Sequence, residues 1–152
     1  MAYLMGIDVG TTGTKTLLIE ETGRIAASVT CEYPMYTPRP LWAEQDPEDW
    51  WQAAVSSIRE ALHQAAIDPA EVRGIGLTGQ MHGMVMMDAK GTVLRPCIMW
   101  NDQRTAAECD WIMQTVGPQR FLDLTLNRAL PGFTAPKIIW TRTHEPEVYA
   151  QA

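Results

Sequence analysis

Ten residues near the start of the chain, Gly6-Ile7-Asp8-Val9-Gly10-Thr11-Thr12-Gly13-Thr14-Lys15, constrain its fold more than any other stretch. An apolar run from Tyr3 ends at Asp8 and a second occupies Thr16 to Ile19, so Gly10 to Gly13 must turn the chain back as a hairpin. Glycines at the turn predict backbone at positive φ and a concave row of amides able to cradle anionic oxygens. Thr11, Thr12 and Thr14 add hydroxyls, Lys15 adds a compact positive charge, and Asp8 is placed to hold Mg²⁺ through its water shell. Taken alone, a Gly-Thr turn after a strand is just a turn. The rest of the chain has to decide between that and a phosphate clamp.

The following residues predict an α/β domain. Glu21-Thr22-Gly23 is a turn, and Ile25 to Tyr33 resumes a β-branched pattern, giving three consecutive antiparallel strands. Pro34 to Pro40 holds three prolines and reads as an exposed connection. Asp46-Pro47-Glu48-Asp49 then starts a helix, with Asp46 as N-cap, proline at the first helical position and acids in the first turn. Trp51, Val55, Ile58, Leu62 and Ala65 recur at helical spacing and predict the face that docks on the sheet, with Trp50 and Trp51 as packing residues. Asp68-Pro69 breaks the helix, and Val72 to Gly79 returns as a strand whose long crossover implies parallel pairing.

Gly74 to Gly79 reads GIGLTG and matches the spacing of a dinucleotide-binding fingerprint, but its context excludes that function. Such a fingerprint opens a helix, whereas these glycines lie inside a strand and a further strand, Met84 to Asp88, is expected after them. Asp88 to Gly91 turns into Val93 and Leu94, and Pro96 to Trp100 forms a last short strand. Asn101 or Asp102 is expected to cap a helix from about Gln103 to Val116, ended by Gly117-Pro118. Thr134 is expected to cap a helix through Trp140, and Thr143 with Pro146 to start another. That last helix, only two turns long at Ala152, suggests a fragment of a longer protein.

Two further stretches at strand ends carry polar chemistry: Gly79-Gln80-Met81-His82-Gly83 and Trp100-Asn101-Asp102-Gln103-Arg104. Ligands of open α/β sheets bind outside such ends. Asn101, Asp102 and Arg104 offer the donors and acceptors a polyhydroxylated sugar needs, Trp100 a flat apolar face, and His82 a hydrogen bond to a hydroxyl. The plainer alternatives are a helix cap, a surface arginine and a structural histidine. Met81, Met84, Met86 and Met87 surround His82, but strand alternation splits them between two faces, so core filling accounts for them better than a soft-metal site.

Charge narrows the partners. Twelve Lys and Arg against 18 Asp and Glu leave a net charge of -6, with no basic stripe for nucleic acid. No apolar run approaches the ~20 residues a membrane helix needs, and a cytoplasmic protein is expected. Three cysteines without CxxC spacing, Cys31, Cys97 and Cys109, suggest neither a disulfide framework nor zinc.

Together, GIDVGTTGTK, GLTGQMHG and RPCIMWNDQR resemble the N-terminal domain of the FGGY family of carbohydrate kinases, and within it the pentulose (xylulose) kinases; LWAEQDPEDWW and LPGFTAPKIIW extend the resemblance over essentially the whole chain. It implies an actin-like, ribonuclease-H-like domain, a mixed antiparallel and parallel sheet flanked by helices, spanning residues 1–152 and lacking a second actin-like domain. It also implies ATP and Mg²⁺ as cofactors and transfer of the γ-phosphate to D-xylulose or a related ketose. On the family pattern Asp8 organises Mg²⁺ as the catalytic residue present. Gly10, Thr11, Thr12, Gly13 and Lys15 bind phosphate, and Met81, His82, Trp100, Asn101, Asp102 and Arg104 bind the sugar. The general base is expected beyond the chain end, so these residues are expected to be inactive alone, and a homodimer is left open. A stand-alone sugar- or phosphate-binding module and a nucleotide-dependent structural protein of the actin class are the competing readings.

Overall fold

A computed structural model describes residues 2–152. They form two compact units, one made of residues up to Pro34 with Glu48–Gln80, the other of Met35–Pro47 with Met81–Ala152.

In the first unit, β1 (Tyr3–Val9), β2 (Gly13–Glu20) and β3 (Ile25–Glu32) run antiparallel, and β5 (Val72–Gly79) lies parallel to β1, giving the order β3-β2-β1-β5. The expected hairpin and crossover are both present. Alternation sets the faces: Tyr3, Met5 and Ile7 of β1 are buried with Leu18 of β2, Ala27 of β3 and Ala61 of the crossover helix α1 (Pro47–Ala65). Leu4 and Asp8 of β1 are exposed.

Ile58, Leu62 and Ala65 dock on the sheet as expected, but the centre of the α1 face differs. Its buried residues are Ala53, Ser57 and Ala61, with Ile58, Leu62 and Ala65 packed alongside, while Trp51 is 63% exposed. Small side chains at i, i+4 and i+8 let the helix approach the sheet closely, and Ser57 Oγ lies 2.7 Å from Thr16 Oγ1 of β2 within that buried layer. An indole would hold the two apart, so the large aromatic is turned outward.

The second unit is built around Met84, Met86, Ile98 and Trp140, with Trp42 and Val148 packed against them. Met84 and Met86 are buried while Met81 and Met87 are exposed, as their alternation predicted. The expected strand at Met84 to Asp88 is absent. Isolated bridges, Met84 to Ile98 and Met87 to Val93, pair this segment, and among the described residues of this unit the one ladder is a two-residue one between β4 (Glu44–Gln45) and β6 (Cys97–Ile98). Pro96 lacks the N–H that a continuous ladder requires there. Asp88 does turn the chain, its carboxylate accepting the N–H groups of Lys90 and Thr92, each at 2.8 Å.

Four helices complete the unit: α2 (Ala106–Val116), α3 (Pro118–Thr125), α4 (Thr134–His144) and α5 (Pro146–Gln151). Gly117, at φ 89°, separates the first two. The α3 helix was not anticipated, and the N-caps lie elsewhere than expected: Thr105 for α2, Phe133 for α4 and Glu145 for α5. Among the described residues no helix is long and apolar enough to cross a membrane.

Candidate functional site

The β1–β2 turn is tight. Gly10 N–H donates to Gly13 carbonyl at 3.1 Å, closing the loop that carries Thr11 and Thr12. Neither glycine has positive φ, so the expected reason for them is corrected. Close approach requires Gly13, where a Cβ would lie 2.8 Å from the Cys31 carbonyl oxygen of β3, and makes Gly10 tight, where a Cβ would lie 3.2 Å from the Gly13 carbonyl oxygen. The loop is pinned from outside as well. Tyr33 hydroxyl donates to Gly10 carbonyl, and Gln80 N–H donates to Val9 carbonyl at 2.9 Å.

Register places Lys15 opposite Asp8 on β2, and Thr78 opposite Asp8 on β5, so the three side chains form a row across the sheet. They line one wall of an open groove of about 480 Å³ whose other residues are Gly6, Ile7, Leu17, Gly76 and Leu77. Asp8 and Lys15 are exposed and form no ion pair among the described residues. No cluster of three or more His, Cys, Asp or Glu that could hold a metal occurs among them. A lone accessible carboxylate beside hydroxyls suits Mg²⁺, which keeps several waters and takes one or two protein carboxylates with substrate phosphates.

In the second unit Met81 (73% exposed), His82, Trp100 (46% exposed) and Asn101 all reach the surface. His82 adopts φ 65°, a left-handed conformation uncommon for a residue with a side chain. Its ring packs at 4.8 Å, tilted, on that of Phe133, and its carbonyl accepts the Lys137 ammonium at 2.6 Å. Asn101 Nδ2 approaches Met35 sulfur at 3.5 Å.

Asp102 and Arg104 are placed differently from the expectation that they front a ligand. Asp102 is wholly buried, and it caps a turn instead of a helix: Oδ1 accepts the Arg104 N–H at 2.9 Å, and Oδ2 accepts the Ala43 N–H at 2.7 Å. The Arg104 guanidinium, also buried, donates to Asp102 from Nε and Nη2, pairs with Glu44 Oε1 at 2.8 Å and lies over the Trp42 ring at 3.7 Å. Arg95 extends this network, joining the same Glu44 oxygen at 2.8 Å to Glu145 at 2.6 Å. The cluster fixes the strand-to-helix turn that presents Trp100 and Asn101.

Lys137, Glu44 and Arg95 were not singled out from the sequence. Lys137 stands in LPGFTAPKIIW, where a lysine at one turn's distance from a proline-glycine break reads as a surface helix residue. Burial pushes its pKa down to about 8.

A mixed sheet of this order, with a glycine-threonine hairpin at its first turn and a helix crossing to a parallel strand, defines a domain of the actin-like, ribonuclease-H-like class. Within that class the chain belongs to the FGGY family of carbohydrate kinases, residues 3–152 matching the model of that family's N-terminal domain. It is 44% identical over 147 residues to the xylulose kinase of Escherichia coli K12, covering 97% of this chain and 30% of the relative. To the xylulose kinase of Bacillus subtilis 168 it is 39% identical over 149 residues, covering 98% and 30%. The crystal structure of xylulose kinase from Rhodospirillum rubrum superimposes with a TM-score of 0.91 at 30% identity, over 98% of this chain and 30% of that one. The chain thus spans about 30% of the length of the relatives it matches.

Proposed function

We propose that these residues form the N-terminal, sugar- and phosphate-binding part of an ATP-dependent pentulose kinase of xylose catabolism in the cytoplasm, converting D-xylulose to D-xylulose 5-phosphate. The observation that carries the reading is that each of the two units exposes one polar feature on its own supporting structure. One is the Asp8–Lys15–Thr78 row beside the Gly10–Gly13 loop, the other the left-handed His82 turn with Trp100 and Asn101. Phosphoryl transfer needs positioning and charge neutralisation more than covalent help from the protein. Gly10, Thr11, Thr12, Gly13 and Lys15 supply the phosphate contacts. Asp8 holds Mg²⁺, which, when bound, neutralises charge on the transferring phosphate. Met81, His82, Trp100 and Asn101 meet the sugar, and Asp102 with Arg104 supports them from beneath.

On this reading the general base comes from outside the 152 residues, from the second actin-like domain of a full-length kinase. The residues in hand bind sugar without turning it over. Titration calorimetry with D-xylulose, L-xylulose, D-ribulose and glycerol tests the proposal. D-xylulose should bind most tightly, His82→Ala should abolish its heat, and Asp8→Asn should leave it unchanged. Glycerol binding more tightly than any pentulose, or turnover near the ~10 s⁻¹ ordinary for enzymes, would overturn it.

A further inference from the structure

Lys137 has no exposed surface, and among the described residues no carboxylate lies within ion-pair distance of it. Its ammonium donates instead to two carbonyls, that of His82 at 2.6 Å and that of Gly132 at 2.8 Å. Burying a cation without a directly paired carboxylate is costly, and a methionine would fill the same space without that cost. The charge therefore needs a reason other than packing.

Both carbonyls belong to backbone that is hard to hold. His82 sits at φ 65°, which persists only where its surroundings over-determine it. Gly132 lies so close beneath the other turn that a Cβ there would be 2.7 Å from the Trp100 carbonyl oxygen. One ammonium thus grips the His82 turn directly and the Trp100 turn through Gly132. The start of α4 adds to the grip: Phe133 packs on the His82 ring, and Thr134 Oγ1 lies 3.4 Å from the same His82 carbonyl.

We infer that Lys137 is a positioning residue for the sugar site, fixing the His82 turn and, through Gly132, the Trp100 turn in mutual register so that both can engage one pentulose. The inference rests on the reading of His82 and Trp100 as sugar contacts. A charge-assisted bond to a carbonyl is shorter and stronger than a neutral one, which suits a device that must hold a strained turn in place before the sugar arrives.

The test pairs Lys137→Met with the unaltered chain. Hydrogen exchange should speed up at least ~10-fold at residues 81–83 in the variant, with protection of β1 to β3 unchanged. D-xylulose affinity, measured by calorimetry, should fall at least ~10-fold. Unchanged exchange would overturn the positioning role. Faster exchange with undiminished D-xylulose affinity would overturn its link to the sugar. Absence of any D-xylulose heat from the unaltered chain would instead remove the pentulose reading, and the sugar part of this inference with it, leaving the exchange result to decide whether Lys137 holds the turn. If the variant does not fold, ¹⁵N spectra of the unaltered chain decide: slowly exchanging Lys137 Nζ protons coupled to the His82 and Gly132 carbonyl carbons support the grip, and rapid exchange without coupling overturns it.

Discussion

The Tyr33 hydroxyl donates to the Gly10 carbonyl at 2.5 Å, so a side chain just past the end of β3 holds the first residue of the glycine-threonine loop. Tyr33 also donates its backbone N–H to the Thr12 carbonyl at 3.3 Å, and the loop is gripped at two points from one residue. Burial raises the Tyr33 pKa above its usual value of 10, which keeps the phenol a donor at neutral and mildly alkaline pH. If the loop receives a phosphate chain, as proposed above, it gains from being set beforehand, because ordering it during binding would subtract from affinity.

Tyr33→Phe removes only that hydroxyl. The expected outcome is a loss of roughly 0.5–1.5 kcal/mol in stability, the usual worth of one such bond, with faster hydrogen exchange confined to Gly10–Thr14. Thermal melting and exchange mapped by mass spectrometry measure the two effects. Exchange that increased evenly across β1 to β3 would show that the tyrosine supports the sheet and not the loop.

The Asp102–Arg104 pair gives a sharper contrast. Both side chains are buried, and the carboxylate serves the Ala43 N–H as well as the guanidinium. Asp102→Ala should cost about 3–5 kcal/mol, because breaking a buried pair leaves a desolvated charge behind. Asp102→Ala with Arg104→Met should cost distinctly less than the sum of the two single changes. Urea unfolding followed by tryptophan fluorescence reads this directly, since Arg104 stacks on Trp42 and lies 4.9 Å from the ring centre of Trp140. Additive costs would mean that the two charges are not coupled.

What could be read from the sequence divides along physical lines. The hairpin, the parallel return of β5 and the burial of Met84 and Met86 all follow from periods of two residues and from crossover length, which are local or nearly so. The expectation failed where a residue's partner is far away in sequence. Asp102 and Asn101 are good cap residues in isolation, but the Ala43 N–H, 59 positions earlier, together with the Arg104 guanidinium, holds Asp102 inward. Trp51 fits an apolar helical stripe, but the fully buried positions of α1 are the small residues Ala53, Ser57 and Ala61, with Ile58 and Leu62 at the margin of that face. Lys137 carried no local signal at all, because the carbonyls that give it a purpose include one 55 residues away. The glycines of the β1–β2 loop were expected for the wrong reason: neither has positive φ, and it is crowding by β3 that selects Gly13.

Lys137 and Cys97 should together shape the stability of the protein at alkaline pH. Burial lowers the Lys137 pKa from the usual 10.5 to about 8, so between those values the unfolded chain binds more protons than the folded one and stability rises with pH. Burial raises the Cys97 thiol from the usual 9 to about 11, so between those values the folded chain binds more protons and stability falls with pH. Asp102 and Arg104 are the other charges felt by Lys137. Under reducing conditions the melting temperature should therefore climb between about pH 8 and 9, level off between about 9 and 10.5 as the two groups oppose, and drop towards 11. Lys137→Met should remove the climb and leave the drop, and Cys97→Ala should blunt the drop and leave the climb. Melting curves at half-unit pH intervals measure both, and a climb that survived in Lys137→Met would assign the proton to another group.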